Sequence, residues 1–212
     1  HFANNLFKFG LMVQQANWPV VAKFSVPAAI AALLGAASLT FVDRLPALLT
    51  YRLADSEFTI MPVKAVIGSL IALFAVLELS PRFQTLAFPP RWLPVGGLLS
   101  GFFGGLSGNQ GALRSAFLLK AGLSKEAFVA TGVVSAVIVD AVRLMVYGSA
   151  ILTDHFTQLR SLALPVATGT LCAFAGSFLG KRLLQKVTLC TVQLIVAVAM
   201  FCIGSGLVLG WL

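Results

Sequence analysis

The sequence predicts an all-α, polytopic helical membrane protein with two internal repeats and a Gly-rich interrupted helix pair. Three observations point there. The 212 residues are 58% hydrophobic and only 10% charged, where a soluble domain carries about a quarter charged residues. Mean hydropathy is +0.95, and the apolar runs are long and do not alternate with period two, which excludes a barrel. Finally, the segment from Pro94 to Leu123 holds eight glycines and a polar knot, Ser107-Gly108-Asn109-Gln110-Gly111, between two apolar halves. Neither half approaches the roughly 20 residues a span needs. Such a break reads as a helix interrupted, with freed backbone groups and polar side chains facing a protected cavity; the competing reading is two ordinary helices joined by a Gly-rich turn.

The elements follow in order. His1 to about Gln15 reads as the end of a helix, interrupted by Asn4, Asn5 and Lys8, with Asn17 in a polar exit. An apolar segment from about Val20 to Val42 places Pro27 in its first turns and carries a face of small residues suited to close packing. Asp43 to Thr59 reads as a loop with a surface helix through Leu45–Leu53. A span from about Ile60 to Leu79 precedes a Pro-rich loop, Ser80 to Trp92. After the Gly-rich stretch, Ser124 is a fitting N-cap for a helix reaching about Gly148 and containing Asp140 and Arg143. A polar loop from Ala150 to about Ser161 includes Asp154 and His155. The last two spans are Leu162 to about Leu184, with Pro165 early, and Thr191 to Leu212.

Two parts of the chain share this plan. Asn5 and Lys8 stand at i, i+3 in a helix, as do Asp140 and Arg143; each helix is followed by a span with an early proline, Pro27 or Pro165. This divides the chain into a partial first repeat (1–80), a connecting loop (81–93) and a second repeat (94–212). The first repeat lacks a Gly-rich opening, so a segment ahead of His1 is expected. Lys181, Arg182 and Lys186 argue for a cytoplasmic loop, with the Asp154 loop and the C-terminus outside. Inverted and parallel arrangements of the repeats both remain open.

The net charge of +8 comes from scattered helix ends and short loops, with no basic tract of the kind that binds nucleic acid. Cys172, Cys190 and Cys202 show no CxxC spacing and read as small apolar packing residues. There is no HExxH, GxSxG or Walker motif and no nucleophile–base pair, so an enzyme is not expected, and neither is a metal or other cofactor. The expected partners are a small anionic substrate and the lipid bilayer; a homo-oligomer is left open.

Arg114, with Ser107, Gly108, Asn109 and Gln110 beside it, makes an anion-binding constellation: the cation neutralises charge and the amides orient an oxyanion. The bland alternative is an interface arginine. Arg143 and Asp140 share a helical face. A charge at mid-bilayer costs at least about 2.5 kcal/mol, so such groups are paired or functional. Arg143 is read as facing the substrate and Asp140 as tuning it or carrying a coupling proton, against a structural pair at a helix end. Asn5 and Lys8 are their first-repeat counterparts; an interfacial lysine is the alternative for Lys8.

The segment GGLLSGFFGGLSGNQGALRSAFLLKAGLSKEAFVATG, with its G-x-x-K-x-x-x-x-A-T lead-in at Gly122, Lys125, Ala130 and Thr131, resembles the second-half signature of the sulfite exporter TauE/SafE family. The likeness covers about Pro94 to Gly148 well and the remainder by hydropathy. It departs from the commoner glycine-run form in reading Ser-Gly-Asn-Gln-Gly-Ala-Leu-Arg. The resemblance implies a multi-pass protein of the bacterial inner membrane, a secondary transporter exporting sulfite, an organosulfonate or a related sulfur oxyanion. The rival readings are a passive anion channel and a non-transporting assembly or sensor subunit.

Overall fold

The computed structural model describes residues 2–53, 56–154, 158–183 and 189–211. Its helices are α1 (Phe2–Met12), α2 (Trp18–Asp43), α3 (Pro62–Leu79), α4 (Pro81–Gln84), α5 (Leu93–Ser107), α6 (Gly111–Leu118), α7 (Lys125–Asp154), α8 (Gln158–Leu183) and α9 (Leu189–Val208). Among the described residues three helices are long and apolar enough to cross a membrane, Trp18–Asp43, Pro62–Leu79 and Lys125–Ser149, with shorter apolar helices at Leu164–Gly176 and Gln193–Val208. This is an all-α polytopic membrane protein.

The starts of α2 and α7 follow from their caps. The Asn17 side chain accepts from the Val20 amide at 3.2 Å, and Pro19 sits in the first turn, where no amide hydrogen is missed. Ser124 Oγ accepts from the Ala127 amide at 3.2 Å. Pro27 lies within α2.

The bundle is centred on α2, which runs parallel to both α5 and α7. Gly97, Gly101 and Gly105 form a stripe along α5, each against the α2 backbone at Phe24, Ala28 and Ala32, while Gly35 of α2 faces Phe102. A β-carbon at any of these glycines would run into a carbonyl oxygen. Lipid tails are as apolar as side chains, so close backbone approach of this kind, more than hydrophobicity, drives helix association in a bilayer. An adjoining face of α2 meets α7 through polar contacts. Ser25 Oγ donates to Ser135 Oγ at 2.8 Å, and the Asn17 amide donates to Thr131 Oγ1 at 3.0 Å. Phe24, Ala28, Ala32, Leu93, Phe117, Leu118 and Val139 form the core between these helices.

Helix α1 packs antiparallel on α7, and α3 packs antiparallel on α9. The α3–α9 contact is reciprocal: a β-carbon on Gly68 would lie 2.5 Å from the Gly204 carbonyl oxygen, and one on Gly204 would lie 2.6 Å from that of Gly68.

Four expectations are corrected. The stretch expected as a loop with a surface helix is instead an antiparallel hairpin, β1 (Leu49–Leu53) and β2 (Ser56–Ile60). Thr50, Tyr51, Phe58 and Thr59 pair across it, and such β-branched and aromatic residues favour strands over helix. Helix α7 runs to Asp154 rather than to Gly148, since neither Gly148 nor the residues after it carry a strong breaker. Lys181 and Arg182 lie in α8 rather than in a loop, continuing its last turn. Cys172 and Cys202 are exposed on the chain's outer surface rather than packed within it, as an apolar thiol facing lipid can be. His1, His155 and Lys186 lie outside the described residues, as does the Cys190 side chain.

Candidate functional site

The break in the Gly-rich stretch falls where the polar knot predicts it. Helix α5 ends at Ser107. Gly108 adopts φ +76°, a left-handed conformation that terminates helices and favours glycine, and its amide donates to the Gly104 carbonyl at 2.9 Å. Ser107 Oγ donates to the Phe103 carbonyl at 3.1 Å and accepts from the Asn109 amide at 3.3 Å. The chain then turns back. Ser100 Oγ donates to the Gln110 carbonyl at 3.3 Å, Phe117 of α6 lies against Gly96 of α5, and the Phe88 amide donates to the Ala116 carbonyl at 3.1 Å. The two half-helices therefore form a hairpin whose outer ends lie on one side of the bundle.

A broken helix leaves carbonyls without intrahelical partners, and in an apolar surround these must be met by side chains. Helix α7 meets them. Tyr147 Oη donates to the Gly105 carbonyl at 2.7 Å and lies 3.4 Å from that of Leu106. Arg143 Nη1 adds a second donor, at 3.4 Å, to the Gly104 carbonyl that already accepts from the Gly108 amide. One turn earlier Asp140 is 2% exposed. Its Oδ2 accepts from Asn5 Nδ2 of α1 at 3.0 Å, and its Oδ1 lies 3.9 Å from Arg143 Nη2. Arg114 of α6 lays its side chain against Gly132 of α7, where a β-carbon would sit 3.4 Å from Nε.

Beside these groups lies a half-open cavity of about 210 Å³ lined by Asn5, Gly108, Asn109, Gln110, Gly111, Arg114, Ala136 and Asp140. Three buried polar atoms around it have no hydrogen-bond partner: Gln110 Oε1, Arg114 Nη1 and Arg143 Nε. An orphaned guanidinium nitrogen buried in the wall of a cavity is a donor waiting for an acceptor, because leaving a charged donor unmet costs several kcal/mol. The cavity also holds the amides of Asn5, Asn109 and Gln110, which can orient an oxygen without adding charge.

Of the residues singled out from the sequence, Asn5, Gly108, Asn109, Gln110, Arg114 and Asp140 come together at the cavity. Arg143 stands behind it, turned onto the end of α5. Ser107 shapes the turn and is not among the lining residues. Lys8 is exposed on α1 and is not among the residues that line the cavity. Tyr147 was not legible in the sequence. Its only signal is its position, i+4 from Arg143 and so on the same helical face.

A membrane-embedded bundle with a broken helix and a charged interior cavity defines an integral membrane protein whose polar site lies inside the helical layer. A family model described as Sulfite exporter TauE/SafE matches residues 3–207, and the chain belongs to that family. The family is one of membrane transporters rather than enzymes. No curated protein and no solved structure matches the chain.

Proposed function

We propose that this protein is a secondary transporter that exports a small sulfur oxyanion, such as sulfite or an organosulfonate, across the bacterial inner membrane in a multi-pass arrangement. The observation that carries this reading is Arg114 Nη1, buried and unpartnered in the wall of the cavity at the break. The anion sits there with Arg114 as its counter-charge, and Asn5, Asn109 and Gln110 orient its oxygens. Water accounts for about 30 Å³ per molecule in the liquid, so 210 Å³ holds an oxyanion of a few heavy atoms with some hydration.

Asp140 tunes the site. Its carboxylate offsets the arginines when the cavity is empty and repels an anion when it is full, so it is also the candidate coupling group. Arg143 and Tyr147 do not reach for the anion; they hold the end of α5 so that the break keeps its shape.

The repeats are inverted in this reading. Asn5 and Asp140 hold corresponding positions and bond to each other across an antiparallel helix pair, and Gly68 and Gly204 face each other reciprocally. Such mutual contacts are what a two-fold axis produces. The axis then passes beside the cavity, and alternating access follows from rocking one repeat against the other. The α5–α6 hairpin is re-entrant, entering and leaving the bilayer on one side.

The test is sulfite flux in proteoliposomes. Wild-type flux saturates with concentration and responds to an imposed pH gradient. Arg114→Ala abolishes it, and Arg114→Lys retains a small fraction, since ammonium supplies charge without the planar fork. Undiminished flux in Arg114→Ala refutes the assignment. Flux that never saturates and ignores the pH gradient identifies a channel instead.

A further inference from the structure

We propose that the anion's route continues from the Arg114 cavity into a second, larger cavity on the adjoining face of α6, and that Gly111 is the one-residue wall between them. This rests on the transport reading above.

The second cavity has a volume of about 530 Å³ and is bounded by Glu78 at the end of α3, Phe83 of α4, Leu86 of the connection after it, Gly111 and Ser115 of α6, and Gln193 of α9. Gly111 lines both cavities. The geometry of α6 explains why. Gly111 and Arg114, at i and i+3, face the first cavity, whereas Gly111, Ser115 and Leu119, at i, i+4 and i+8, run down the neighbouring face toward the second. Only the first residue of the helix belongs to both faces. Because it is glycine, no side chain thickens the wall there, and a β-carbon at Gly111 would meet nothing within 4 Å. The position is therefore spatially free for any side chain, and α6 carries none.

The chemistry of the two cavities differs in a way that suits passage. The first offers a guanidinium with one buried nitrogen, Arg114 Nη1, lacking a hydrogen-bond partner, beside the Asp140 carboxylate. The second offers the Ser115 hydroxyl and the Gln193 amide, among apolar walls, and its charged lining residue is the carboxylate of Glu78. An anion is held in the first and only hydrated and weakly held in the second. Release from the first therefore needs a short step past Gly111 into a wider space rather than a path through packed side chains.

The experiment uses the full chain with Cys172, Cys190 and Cys202 replaced by serine, reconstituted in liposomes, with the anionic thiol reagent 2-sulfonatoethyl methanethiosulfonate as probe and sulfite as transported ion. Ser115→Cys is expected to react with the reagent and to lose at least tenfold in sulfite flux on modification. Gly148→Cys, which also has open space around it but lines neither cavity, serves as the control and keeps its flux. If the unmodified Ser115→Cys protein transports sulfite in an Arg114-dependent manner and modification leaves that flux unchanged, the second cavity is off the route while the transport reading stands. A transport-independent arm tests the shared wall. Gly111→Leu is expected to slow labelling at both Asn109→Cys and Ser115→Cys by at least fivefold, because one side chain intrudes on both cavities. Unchanged labelling at either position overturns the wall assignment, whether or not the protein moves sulfite.

Discussion

Gly108 stands where any β-carbon would collide with the guanidinium of Arg143. The two residues come from separate helices, and the break in one is closed by the charge on the other. Arg143 can reach the α5 carbonyls only across a residue without a side chain, and that residue also has the positive φ that ends α5.

Gly108→Ala is therefore doubly penalised. The left-handed conformation costs an ordinary residue roughly 1–2 kcal/mol, and the methyl group displaces Arg143. Thermal unfolding in detergent should show a loss of at least about 2 kcal/mol. In an Arg143→Ala background the steric part vanishes, so the double-mutant cycle should return a coupling of roughly 0.5–3 kcal/mol.

Tyr147→Phe deletes one hydroxyl and leaves the Gly105 carbonyl without its 2.7 Å partner. The expected loss of stability is about 1–2 kcal/mol. A melting temperature unchanged from wild type would show that water or another side chain serves that carbonyl equally well.

The glycine stripe on α5 predicts a contrast between positions that differ only in their surroundings. Gly101→Ala places a methyl group against the Ala28 backbone and should lower stability and the yield of folded protein. Gly148→Ala, in open space within α7, should be neutral or stabilising by about 0.5–1 kcal/mol, the helix preference of alanine over glycine.

Asp140→Asn keeps an oxygen for Asn5 and removes the negative charge that shares the cavity with the substrate. The expected result is a lower KM for sulfite, by about tenfold for each 1.4 kcal/mol of repulsion relieved, together with loss of the response to a pH gradient. Asn5→Ala removes the hydrogen bond but keeps the charge, and should cost about 1–3 kcal/mol of stability by leaving a buried carboxylate oxygen unmet. Lys8→Ala, on the exposed face of α1, should leave flux unaltered.

What could be read from the chain and what could not divide along physical lines. The break at Ser107–Gly111 was legible because polar and left-handed-tolerant residues cluster inside an otherwise apolar run, a local signal. The cavity residues Asn109, Gln110, Arg114 and Asp140 were legible because polarity within a membrane segment is costly. The hairpin is not legible in the sequence because Leu49 to Ile60 follows a long helix and contains charges, so the short alternation of Thr50, Tyr51, Phe58 and Thr59 reads as surface. The i, i+3 pattern groups Lys8 with Asn5 on one side of α1 without saying which of them meets the neighbour. Tyr147 was invisible because its role is set by carbonyls 41 and 42 residues away in the chain.

The β-hairpin has a mechanical consequence. Tyr51 Oη donates to the Leu209 carbonyl at 2.7 Å, the Trp211 indole donates to Tyr51 Oη at 3.1 Å, and Gly210 lies against Thr59. This clasp fastens the start of α3 to the finish of α9, and the Gly68–Gly204 contact locks the two helices toward that same end. The pair is thus a stiff lever pinned at one extremity, and Glu78 and Gln193 ride at the other. Eighteen residues of α3 span roughly 27 Å, so tilting the lever by about 5° at its pin swings the opposite tip by roughly 2 Å, enough to widen or narrow a passage built for an ion.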